Sequence, residues 1–83
     1  MPQLRFSIPS ETIETIGVLL YGRQWQRPLA QRLGVSDMSV RRWRDGRASV
    51  PGRAIEEMES LIDGREQDLE TAKRRLRSTT RAA

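Results

Sequence analysis

Between Gln26 and Asp45 the chain carries apolar, small and glycine residues at the spacings required by two short helices joined by a sharp turn. Leu29 and Leu33 fall on one face of a first helix and Val40 and Trp43 on one face of a second, so four apolar side chains can meet between them. Ala30 stands where the second helix would cross the first, and a larger side chain there would push the pair apart. Gly34 follows the first helix, where a left-handed residue lets the chain reverse. Ser36 is a natural N-cap for the second helix, and Asp37 in its first turn suits the positive end of the dipole. These matches hold one register over twenty residues and together predict a helix-turn-helix.

Around this unit the chain reads as all-α, a compact four- to five-helix bundle. Pro9, Ser10 and Glu11 are start signals for a helix that runs to about Tyr21 and is closed by Gly22, with Ile13, Ile16 and Leu20 facing inward. Gly17 inside that helix costs about 1 kcal/mol relative to Ala, which close packing against a neighbour would explain. Trp25, just before the first motif helix, is expected in the core or at the hinge. The alternation of Leu4, Phe6 and Ile8 with polar residues makes residues 3–8 either a short strand or an arm packed on the domain.

The run from Gln26 to Asp45 resembles the helix-turn-helix of the Cro and phage-repressor family, and the segment Asp45 to Pro51 resembles that family's loop after the recognition helix. In that loop a glycine ends the helix and a proline opens the next one. The resemblance covers residues 10–63 and departs from the pattern at Pro28 and at Arg41 and Arg42, which replace uncharged polar residues. A proline in a first turn removes no intrahelical hydrogen bond, so Pro28 is compatible with the motif. The resemblance implies sequence-specific binding of double-stranded DNA, with the second motif helix in the major groove. Position by position it implies that Ser36, Asp37, Met38 and Arg42 approach the groove and that Gln26 contacts a phosphate.

Helix geometry adds Ser39, Arg41 and Arg44 to the outward face, because Val40 and Trp43 point inward. The expected base readers are therefore Asp37, Met38, Ser39, Arg41 and Arg42. An Arg takes O6 and N7 of guanine together, Asp accepts from a cytosine amine, and Met lies against a thymine methyl, so a half-site with at least one G·C pair is expected. The expected phosphate contacts are Gln26, Arg27, Ser36, Arg44, Arg47, Ser49, Gly52 and Arg53, the last two through free N–H groups at a helix start.

Charge is segregated along the chain. Residues 23–53 have a local balance of +6, residues 54–70 one of −6, and residues 71–83 add five bases; with −1 from residues 1–22 the net charge is +4. The basic block coincides with the motif, where it would release counterions from a phosphate backbone and make binding salt-dependent. The acidic stretch reads as a solvated face. With no Cys and no His, the composition excludes disulfides, the usual zinc sites and histidine acid–base chemistry. No nucleophile, metal cluster or phosphate-cradling glycine loop accompanies the carboxylates, so no enzyme, cofactor or small-molecule ligand is expected. No apolar run is long enough to cross a bilayer and the N-terminus lacks a secretory apolar segment, which makes the cytoplasm of a bacterium or of a phage-infected cell the expected compartment.

Beyond Pro51, Ile55, Ile62, Leu69 and Leu76 recur every seven residues, with Met58 and Ala72 three residues after two of them. Gly64 and Arg65 interrupt this seam, so one helix or two, at about 51–63 and 65–77, both remain open. Ile55, Met58, Leu61 and Ile62 read as the last helix of the domain. An 83-residue core is marginal alone, and Ile62, Leu69, Ala72 and Leu76 are assigned to a homodimer contact. The resulting organisation is an arm (1–9), a DNA-binding domain (10–63) and a helical extension (64–83) whose residues 78–83 are expected to fray. A dimer on an inverted-repeat operator, repressing by occupancy, is the reading that the resemblance implies. The reading from another class is a protein-interaction module, an antitoxin or adaptor whose C-terminal helix holds a partner protein.

Overall fold

The computed structural model describes residues 4–81. Four helices and a two-stranded antiparallel sheet follow in the order β1 (Arg5–Phe6), α1 (Ser10–Tyr21), α2 (Gln26–Leu33), α3 (Asp37–Arg44), β2 (Val50–Pro51) and α4 (Gly52–Arg81). Of the stretch expected as strand or arm, Gln3 lies outside the described residues, while Arg5 pairs with Pro51 and Phe6 with Val50. No helix among the described residues is long and apolar enough to cross a membrane.

The core lies where α1, α2, α3 and the start of α4 converge. Ile13, Leu29, Ala30 and Val40 are wholly buried, with Trp25, Leu33, Trp43, Val50, Ala54 and Met58 around them. The four side chains expected between the motif helices are all in this cluster. Gly17 explains itself once Trp25 is placed: a Cβ on Gly17 would stand 2.1 Å from the indole ring, which packs against α1 there. Burying an indole supplies more apolar contact than the helix propensity lost at glycine.

Both motif helices end in the same way. Gly34 is left-handed (φ 69°), its N–H donates to the Gln31 carbonyl, and the Val35 N–H donates to Ala30. Gly46 (φ 73°) donates to Trp43 and Arg47 to Arg42. Each pair of bonds is a Schellman closure that satisfies carbonyls at the helix end while the left-handed residue turns the chain.

The chain after Pro51 settles the alternatives left open by its sequence. Pro51 belongs to β2 rather than to the helix, which starts at Gly52 and runs unbroken for 30 residues. Gly64 sits inside it with nothing within 4 Å of where a Cβ would be, and its propensity cost is carried by the strong helix formers on either side. Among the described residues there are therefore four helices, within the expected four to five. The extents of the fold are 56 × 29 × 21 Å because the far half of α4 projects from the bundle. Ser78, Thr79 and Thr80 are helical, and the threonine hydroxyls donate to the Arg75 and Arg77 carbonyls. Residues 78–81 of the stretch expected to fray thus form the last turn of α4, and Ala82 and Ala83 lie outside the described residues. Arg65, which breaks the apolar seam, donates a half-buried hydrogen bond to the Leu20 carbonyl at the end of α1. A guanidinium there meets an orphan carbonyl and the negative end of the α1 dipole.

Candidate nucleic-acid interface

The outer face of α3 is set by what its inner face buries. With Val40 and Trp43 in the core, Asp37, Met38, Arg41 and Arg42 stand exposed on the other side. Ser36 caps the helix by accepting from the Ser39 N–H at 3.1 Å, and the two serine hydroxyls lie 3.1 Å apart. Ser39 is half-buried, so its hydroxyl belongs first to the cap.

The start of α2 adjoins the start of α3. Arg23, Gln24, Gln26, Arg27, Pro28, Asp37 and Arg41 line one shallow depression between these two helix ends. Two expected base readers, Asp37 and Arg41, thus share a surface with two expected phosphate contacts, Gln26 and Arg27. Four of the seven lining residues are charged, three of them Arg, so the depression is open and positive. Helix N-termini bearing free N–H groups add to that sign.

Other expected contacts lie apart from it. Arg47 is exposed, with its N–H in the closure of α3 and its side chain outward. Arg44 is half-buried and pairs with Asp45 at 3.0 Å, which leaves less of its charge for a phosphate. Arg53 is exposed but lines a different hollow, with Arg32, Leu33, Ala54 and Glu57, on the side where α2 ends against α4. There Arg32 approaches Glu57 at 3.5 Å.

One expectation needs correction. Gly52 does not offer a free N–H, because that group donates to the Leu4 carbonyl at 2.8 Å as the chain leaves β2 beside β1. Ser49 accepts from Arg5, whose Nε donates to its hydroxyl and whose Nη2 donates to its carbonyl, both at 2.9 Å, which leaves the Ser49 O–H itself as a donor. The residue that the sequence reading missed is therefore Arg5, which ties the N-terminal strand to the loop carrying Arg47. Its only signal in the sequence is a polar position in the alternation of residues 4–8; the partner is 44 residues away.

The residues assigned to a dimer contact lie on α4. Ile62 is half-buried at the domain edge, Leu69 and Leu76 are 63% and 65% exposed, and Ala72 is exposed. No family model, curated protein or solved structure matches the chain.

Proposed function

We propose that the chain is a sequence-specific regulator that binds double-stranded DNA, two copies occupying an inverted repeat with α3 in the major groove and repressing by occupancy. The observation that carries this reading is the separation of roles on α3. Val40 and Trp43 are committed to the core, and the exposed face presents Asp37, Met38, Arg41 and Arg42 beside the basic start of α2. The resemblance of residues 10–63 to the Cro and phage-repressor family supports it. In this reading Arg41 and Arg42 meet guanine edges, Asp37 accepts from a cytosine amine, and Met38 packs on a thymine methyl. Gln26, Arg27 and Arg47 hold phosphates. Such a protein works by binding rather than catalysis, in the cytoplasm of a bacterium or an infected host, where its DNA is. The exposed Leu69 and Leu76 favour the second reading, an adaptor whose C-terminal helix holds another protein.

Selection from random duplexes tests the first reading. Arg42→Ala should lose about 1–3 kcal/mol of binding and relax the preference at one base pair, while Arg47→Ala should weaken all sequences alike and reduce the salt slope by about one. Uniform loss in both variants would refute the division into reader and anchor. Absence of any salt-sensitive duplex binding by the native chain would refute the DNA reading itself.

A further inference from the structure

We infer that the projecting half of α4 is an antiparallel pairing surface for a second copy of this chain, the acidic stretch of each helix lying along the basic stretch of the other. The inference rests on the reading of the chain as a paired unit and adds the orientation of the pair.

The apolar stripe that packs α4 onto the domain through Ala54, Met58 and Leu61 does not stop at the domain's edge. It continues on the same face as Leu69, Ala72 and Leu76, all exposed. Beyond Arg65 the helix extends 16 residues, about 24 Å. A helix of that length surrounded by water is marginal by itself.

Charge selects the occupant. Six of the seven acids from Glu56 to Glu70 have no salt-bridge partner among the described residues, Glu57 being paired with Arg32, and neither Lys73, Arg74, Arg75 nor Arg77 has one. One helix thus carries two blocks of opposite sign, end to end. Two such helices side by side in parallel would set basic block on basic block; turned end for end, each block meets its complement.

The heptad positions sharpen this. With Leu69 and Leu76 in one core position and Ala72 in the other, the flanking positions hold Glu66 and Lys73 on one side and Asp68 and Arg75 on the other. In an antiparallel pair with Leu69 against Ala72 of the second copy, Glu66 faces the second copy's Lys73 and Asp68 its Arg75. Two-fold symmetry doubles both pairs. Leucine also meets alanine in each central layer, which lets the helices approach closely. In the parallel arrangement Asp68 alone finds a cation, Lys73, and Arg65 faces Arg65. The two-fold axis of the antiparallel pair is also the symmetry of an inverted repeat.

The chain has no native cysteine, so disulfide trapping of full-length variants reads the orientation directly. An oxidised mixture of Glu66→Cys and Lys73→Cys chains should give a mixed disulfide in about tenfold excess over either chain linked to itself, since only the mixed pair comes within the ~7 Å Cα reach of the bond. Leu76→Cys alone should stay unlinked, its two copies lying about 16 Å apart along the axis. Reversing Glu66 and Asp68 (Glu66→Lys with Asp68→Arg) should weaken self-association about tenfold, and adding Lys73→Glu and Arg75→Glu to the same chain should restore it. Efficient self-linking of Leu76→Cys would overturn the proposal in favour of a parallel pair. So would a native chain that is fully helical by circular dichroism yet monomeric by light scattering at the cross-linking concentration. All these readouts are made without DNA: a trapped antiparallel pair that binds no duplex leaves this inference standing and removes the DNA reading.

Discussion

Along α4 one spacing of apolar side chains has two outcomes. Ala54 and Met58 are buried in the domain core and Leu61 packs against it half-buried, whereas Leu69, Ala72 and Leu76, continuing the same stripe, face water. Periodicity reports that a helix face needs covering and says nothing of what covers it. In the first half the cover is local to the domain. In the second half nothing within the described chain reaches it, and the charge blocks carry the information about a partner.

The largest expected effect breaks the comparison if it fails. Leu29→Ala, in the fully buried centre, should cost about 2–5 kcal/mol in urea unfolding. Leu69→Ala should cost less than about 0.5 kcal/mol in dilute solution, with a larger effect only as chain concentration rises. Equal losses in dilute solution would mean that the far half of α4 is packed on its own domain. Next in size is Gly17→Ala. Although alanine favours helix, the new Cβ would run into the Trp25 ring, and a loss of about 1–3 kcal/mol is expected; a gain would show that the indole can move aside. The smallest effect has the opposite sign. Gly64→Ala, with open space where its Cβ would be, should raise the melting temperature through about 0.5–1 kcal/mol of helix propensity. A loss there would reveal packing against Gly64.

The motif was legible because its determinants are local. Leu29, Ala30, Leu33, Val40 and Trp43 are identified by helical spacing, Gly34 by the turn and Ser36 by its cap, and each lies within a few residues of what it acts on. The depression shared by Gln26, Arg27, Asp37 and Arg41 follows from the same short turn. What was missed is non-local. The pairing of Arg5 and Phe6 with Pro51 and Val50 joins a stretch whose alternation allowed a strand to a two-residue partner too short to show a pattern of its own. That pairing consumes the Gly52 N–H, removing one expected phosphate contact, and places Arg5 on Ser49. A backbone donor at a helix start is free only if no neighbouring strand claims it, and spacing cannot reveal that neighbour. The continuity of α4 across Gly64 was open for a different reason: one glycine costs about 1 kcal/mol, an amount that flanking residues can outweigh.

Because α4 is unbroken from Gly52 to Arg81, it acts as a ruler as well as a face. Each residue between Arg65 and Leu69 sets both a distance, about 1.5 Å, and an angle, about 100°. The bearing and reach of the terminal leucines relative to α3 are thus written in residue number. A flexible linker would leave both undefined, whereas an insertion in this helix would turn one end of the molecule against the other by a calculable amount.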